Sequence, residues 1–159
     1  MNQTLYLTSG DDPALFLEIV RQAEDLGLAA IWIAEGPGLF LNPAVLAAAA
    51  AVATRKISLR GCLALPLPNP IRVAEEWALV DNLSHGRAGI SVGPDPSLET
   101  VRRLWRGEAV RVPDGEGRPI QVRILPRPVQ PELPLLPVEE TALRTDLAGA
   151  LEILERLRG

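Results

Sequence analysis

Cysteine, lysine and histidine each occur once in these 159 residues, at Cys62, Lys56 and His85, and aromatic residues make up only 4% of the chain. A lone cysteine excludes an intramolecular disulfide and fits a reducing cytoplasm. Its apolar setting in Gly61-Cys62-Leu63-Ala64-Leu65 points to a buried, inert thiol rather than a nucleophile. His85 has no serine, cysteine or metal-ligand partner at a telling spacing, so it reads as an exposed turn residue. Long apolar runs are missing too: Pro43 to Ala53 is too short and too alanine-rich to span a bilayer. The opening Met1-Asn2-Gln3-Thr4 lacks the basic and then apolar pattern of a signal peptide, so the sequence predicts a cytoplasmic protein. Excess positive charge is absent, with a net charge of −4 and a pI near 5.1, which leaves no footprint for nucleic acid or an anionic membrane. Arg102, Arg103 and Arg106 form the one basic cluster and read as a solvated helix face. One lysine against fifteen arginines, with abundant alanine, leucine and proline, fits a GC-rich bacterial genome.

What is present is an ordinary globular composition, 47% hydrophobic and 23% charged, in a chain sized for one domain with a real core. Leu5 to Thr8 reads as a short strand. Asp12 and Pro13 then supply a helix start, and Leu15, Ile19, Ala23 and Leu26 recur at helical spacing up to Gly27. Ala29 to Ala34 is a continuous apolar run, as a parallel strand covered on both faces requires. Helices are expected over Pro43–Ala53, Ile71–Leu83 and Leu98–Trp105, and strands over Ile57–Leu65 and Ala88–Val92. Strand and helix alternate with short connections, the pattern of βα units in a parallel sheet.

After residue 107 the pattern changes. Residues 108–125 read as a β-hairpin around Pro113 to Pro119, and 126–137 as a stiff, proline-rich connector. Residues 138–159 read as an amphipathic C-terminal helix carrying Leu143, Leu147, Leu151, Leu154 and Leu157.

The stretch Asn69-Pro70-Ile71-Arg72-Val73-Ala74-Glu75-Glu76-Trp77 onward through Ser84-His85-Gly86-Arg87 into Ala88 to Gly93 closely resembles the third helix and fourth strand of luciferase-like flavin-dependent monooxygenases. Phe16 to Ile33, Asn42-Pro43, Ile57 to Gly93 and Glu99 to Glu108 match the same family in order. Arg123 to Pro134 is similar to the subgroup found within natural-product assembly lines. The resemblance implies a (β/α)8 barrel, but a complete barrel takes about 250 residues. The expected fold is therefore α/β: a partial TIM barrel of four to five parallel βα units with a β-hairpin insertion and a C-terminal helix, residues 1–159 forming one shortened domain.

The resemblance also implies a site at the C-terminal ends of the strands, where Thr8, Glu35, Leu65 and Ser91 would line a pocket for FMN. The pattern departs from the family at three places. Glu35 runs into Gly36-Pro37-Gly38 where the family carries Glu-Arg-His, Pro68 stands where the subgroup has a histidine, and Ser91-Val92-Gly93 runs straight into Pro94-Asp95-Pro96. Gly36-Pro37-Gly38 also lacks the context of a dinucleotide fingerprint. Glu35 has two readings, a general base or flavin contact and an exposed or helix-capping carboxylate. Glu76, Asp81 and Arg87 read as a structural network joining the third helix to the fourth strand. Trp32, Trp77 and Trp105 read as core anchors, one per element.

Three accounts follow. In the first, the chain is a catalytically degenerate luciferase-like domain that binds no cofactor and acts through binding. Its half-barrel leaves two unpaired sheet edges and an apolar face, which a second copy (a homo-oligomer, most simply a dimer) or an assembly-line partner would cover, unless the C-terminal leucine-rich helix caps one edge within the chain. In the second, it is an FMN-dependent monooxygenase, using reduced flavin and oxygen, whose site is completed across a dimer. In the third, it has no autonomous function.

Overall fold

The computed structural model describes residues 3–8, 10–35, 42–67 and 69–159. Met1, Gly36-Pro37-Gly38 and Pro68, which figure in the sequence reading, lie outside them. Three helices start on the same device. In α1 (Pro13–Asp25), α2 (Pro43–Ala53) and α3 (Pro70–Ser84) a proline opens the helix. The preceding Asp12, Asn42 or Asn69 accepts two backbone N–H groups at 2.9–3.2 Å. Proline gives up no hydrogen bond there, and the side-chain oxygen satisfies donors the helix cannot. His85 ends α3 in the left-handed region, with φ 56°, and is exposed, as a turn residue should be.

The helices alternate with parallel strands β1 (Thr4–Leu7), β2 (Ala30–Ala34), β3 (Ser58–Cys62) and β4 (Ala88–Ser91). Their register sets Tyr6 beside Trp32, Trp32 beside Arg60, and Arg60 beside Gly89. Alternation along each strand divides the side chains between two faces. Leu5, Leu7, Ile31, Ile33, Leu59 and Ile90 enter the main core beneath the helices. Tyr6, Trp32 and Ala34 belong to a second, smaller cluster on the opposite, concave side. Helix α4 (Leu98–Trp105) follows, its Trp105 indole donating to the carbonyl of Ala74 on α3 at 3.0 Å. Strands β5 (Val110–Pro113) and β6 (Pro119–Val122) then form the expected antiparallel hairpin.

The C-terminal fifth departs from the sequence reading. Residues 138–159 are not one helix: Leu143–Thr145 is a strand, β7, and α5 runs from Leu147 to Arg158. Asp146 separates them by capping the Gly149 N–H at 2.8 Å. Strand β7 pairs in parallel with the outer edge of β1, giving the sheet order β4-β3-β2-β1-β7. In an eight-stranded barrel the last strand closes on the first, and β7 takes that side of β1.

The proline-rich connector is not a free spacer either. Ile90 donates to the Pro134 carbonyl at 3.0 Å and accepts from the Leu136 N–H at 2.8 Å, so residues 134–136 run parallel to β4 along its outer edge. Both edges expected to stand unpaired are engaged within the chain. Between those contacts the chain crosses the concave face, where Leu136, Val138 and Ala142 pack with Tyr6, Trp32 and Ala34. Gly89 fits this crossing, since a side chain there would press on Leu136 at 3.2 Å.

Of the charged trio of the sequence reading Glu76 stands apart, while Asp81 and Arg87 both tie α3 to the start of β4, Asp81 through Gln130 to the Ala88 carbonyl and Arg87 through Ser84. Glu76 bonds Arg72 and Asn42, at 2.7 and 3.2 Å. Asp81, fully buried, accepts from the backbone and side-chain amides of Gln130 at 2.9 and 2.6 Å, tying α3 to the connector. Arg87 donates to the carbonyls of Ala51, Thr54, Ile57 and Ser84, at 2.7–3.1 Å, and so locks α2, β3 and α3 together at the opposite end of the strands from the candidate site.

All three tryptophans are core anchors, at 0–4% exposure. Trp77 packs its six-membered ring against Gly61, whose missing side chain makes room for it. Trp77→Ala should therefore cost about 3–5 kcal/mol in urea unfolding. A loss under about 1 kcal/mol would contradict this packing.

Candidate functional site

The four strand-end candidates do not converge on one pocket. Thr8 turns its hydroxyl to the carbonyl of Thr145 on β7, at 3.1 Å, and is part of the closed sheet edge. Glu35 is half-buried and accepts the Ala64 N–H at 3.0 Å, pinning the loop after β3 rather than capping a helix. Leu65 is 46% exposed and leans over Gly93, where a side chain would meet it at 2.8 Å. Ser91 is half-buried, and its carbonyl accepts the Leu63 N–H at 2.9 Å. Asp95 organises the next loop by accepting from Leu67 and Ser97, and those two amides hold its carboxyl below its usual range.

Glu35 borders a cleft of about 370 Å³ at the N-terminal ends of α2 and α3. Asn42, Asn69, Arg72, Glu76 and Trp77 share its lining. Both asparagines are spent on helix capping, and Arg72 is paired with Glu76. Its carboxylates outnumber its one guanidinium, which disfavours an anionic ligand. Among the described residues, no group of three or more His, Cys, Asp or Glu is placed to hold a metal ion, and no helix is long and apolar enough to cross a membrane.

Sequence reasoning missed the residues with the most elaborate chemistry, on the concave face. One register row runs Arg144, Tyr6, Trp32, Arg60, Gly89 across β7, β1, β2, β3 and β4. The Arg60 guanidinium lies 5.2 Å from the centre of the Trp32 ring, and that of Arg144 4.2 Å from Tyr6, both within cation–π range. Glu139, on the crossing segment, drops its carboxylate onto this row. One oxygen pairs with Arg60. The other accepts from the Trp32 indole N–H at 2.6 Å and the Thr4 hydroxyl at 3.4 Å. The detectable signal was Arg60, a lone cation inside an otherwise apolar strand, which had to find a counter-charge once buried.

Burial alone would raise the Glu139 carboxyl. Its own backbone N–H, the Trp32 indole and the Arg60 charge outweigh burial and hold it below the ordinary 4.5. Burial also raises the Tyr6 phenol, and its bond with Cys62 adds to that while Arg144 opposes it.

Against known proteins, a family described as luciferase-like monooxygenase matches residues 1–98. The limonene 1,2-monooxygenase of Rhodococcus erythropolis is 34% identical over 93 residues, covering 55% of this chain and 24% of the relative. The 4-hydroxyprotoasukamycin monooxygenase of Streptomyces nodosus subsp. asukaensis is 33% identical over 53% of this chain and 25% of its own length. The chain thus spans about a quarter of the length of these curated relatives.

Among solved structures, the coenzyme F420-dependent tetrahydromethanopterin reductase of Methanopyrus kandleri superposes with a TM-score of 0.53 at 30% identity, over 58% of this chain and 27% of that one. The oxygenating constituent of 3,6-diketocamphane monooxygenase from Pseudomonas putida, solved with FMN, has a TM-score of 0.61 at 18% identity. It covers 92% of this chain and 47% of its own, and at that identity it speaks for the fold alone.

A carboxylate held below its ordinary pKa stabilises the fold fully above 4.5 and loses that contribution as pH falls through the lowered value. The gap in unfolding free energy between wild type and Glu139→Gln should stay constant from neutrality to about pH 5 and narrow below it. Urea unfolding across pH checks this, and a gap unchanged at about pH 3 would contradict it.

Proposed function

This chain belongs to the luciferase-like monooxygenases, and from that premise we propose that it is a shortened, catalytically degenerate member that acts by binding rather than by oxygenation. The observation that carries the reading is the crossing segment, which lays Glu139 and Ala142 on the concave face of the sheet. The proximity of β7 and α5 to β1 and α1 supports a shortening from within, the closing βα unit being kept while the middle of the barrel is left out.

A flavin is the cofactor this family implies, and FMN is present in the diketocamphane relative. The residues at the described strand ends do not fit one within a single chain. The Thr8 hydroxyl and the Glu35 carboxylate are engaged by the protein itself, Leu65 offers no polar side chain, Ser91 offers one half-buried hydroxyl, and the cleft beside Glu35 sets two carboxylates against one guanidinium. Orientation of the ring and exclusion of water are what a protein must supply to flavin chemistry. One half-buried hydroxyl supplies neither, so the described strand ends give flavin chemistry no support.

Binding then means association. Val45 and Val52 on α2 and Leu79 and Leu83 on α3 remain 36–71% exposed, apolar surface that favours a homo-oligomer. The likeness of Arg123 to Pro134 to the assembly-line subgroup supports a setting in natural-product biosynthesis, with a biosynthetic protein as a further partner.

The test is a titration with FMN, oxidised and then anaerobically reduced, with light scattering to give the mass of each state. The expected result is no binding in either state and a mass of two or more chains. Stoichiometric binding at about 1 μM or tighter would overturn this reading in favour of an FMN-dependent monooxygenase completed across a dimer.

A further inference from the structure

We propose that the concave face of the sheet is a carboxylate-binding site which the chain occupies with its own Glu139, and which accepts a free monocarboxylate when that side chain is removed. The donors and the anion belong to different parts of the molecule. Arg60, Trp32 and Thr4 sit on three neighbouring parallel strands. Trp32 and Thr4 are buried, at 0 and 4% exposure, and the Arg60 side chain is 18% exposed. The Trp32 ring, 5.2 Å away at its centre, attracts the guanidinium in addition to its counter-ion. The carboxylate comes from an irregular segment, turned by an Ala142 N–H to Glu139 carbonyl bond of 3.1 Å.

The arrangement specifies a carboxylate by shape as well as charge. The two oxygens are read separately, one by Arg60 and the other by the Trp32 indole and the Thr4 hydroxyl. Arg60 and Arg144 set two cations on the face against the one carboxylate of Glu139, so the face without Glu139 is positive. Leu136, Val138 and Ala142 provide an apolar surround, which fits a small acid with a short apolar tail. This inference does not rest on the absence of flavin binding, since its readout is stability and not redox chemistry.

The test is anion rescue of Glu139→Ala, which empties the place of the carboxylate. Its Tm should fall by about 5 °C. Acetate at about 100 mM, against sodium chloride at equal ionic strength, should recover about 2 °C or more of that loss, in keeping with a Kd of order 10 mM. Wild type should not respond, and neither should the double variant Arg60→Ala/Glu139→Ala. Equal effects of acetate and chloride on Glu139→Ala, or an equal acetate effect on wild type, would overturn the proposal. Should Glu139→Ala fail to fold, Glu139→Gln keeps the shape and removes the charge. The Trp32 indole N–H resonance, identified by Trp32→Phe, should then move upfield from its wild-type position, and an unmoved resonance would overturn the seating of the carboxylate.

Discussion

A parallel sheet curved toward a barrel carries two requirements at once: its concave face must be filled and its two edges must be paired. Everything after the hairpin in this chain answers to them. The segment from Leu133 to Thr145 pairs with β4 at one edge and β1 at the other, and lays Leu136, Val138 and Ala142 on the face between. The contact that fastens it is the Glu139 carboxylate on Arg60, Trp32 and Thr4. Arg60 without Glu139 would be a poorly solvated cation, and Glu139 without Arg60 a part-buried anion held only by an indole N–H and a hydroxyl. Each justifies the other, and removing either leaves a partner worse off than if both were apolar.

That constraint also orders the functional reading. A family whose chemistry is built at the C-terminal ends of barrel strands needs an open concave end and residues drawn from several strands. Here the concave face is closed by the chain itself, and the strand-end residues serve the fold: Thr8 holds the β7 edge and Glu35 holds the loop after β3. The helices keep their family positions because their packing depends on the outer face of the sheet, where Leu5, Ile31, Leu59 and Ile90 remain buried. The family likeness therefore lies in the outer layers, while the inner layer carries the chain's own C-terminal segment.

The first two-thirds of the chain were legible because their signals are local. Asp12-Pro13, Asn42-Pro43 and Asn69-Pro70 announce helix starts within a few residues, and the apolar run to Ala34 announces a buried strand. The closing unit was misread for an equally physical reason. Leu143 stands four residues before Leu147, so it fits a helical stripe, and a three-residue strand has too little sequence to declare itself. The concave site was hidden by distance: Glu139 meets Arg60 across 79 residues and Trp32 across 107, separations at which no local pattern pairs them. Of the candidate site residues, Glu35 borders a cleft at the strand ends, while Arg60 and Glu139 were passed over.

Hydrogen exchange at three backbone amides tests the closure most directly. Leu136 donates to Ile90, Ile90 to Pro134, and Thr8 to Thr145, so these protons exist in hydrogen bonds only if the C-terminal segment is folded back on both edges. The account predicts that all three exchange as slowly as the amides inside β2 and β3. Exchange of Leu136 and Thr8 at the rate of an open loop, with β2 and β3 still protected, would mean that the segment is detached and the half-barrel is not closed by its own chain.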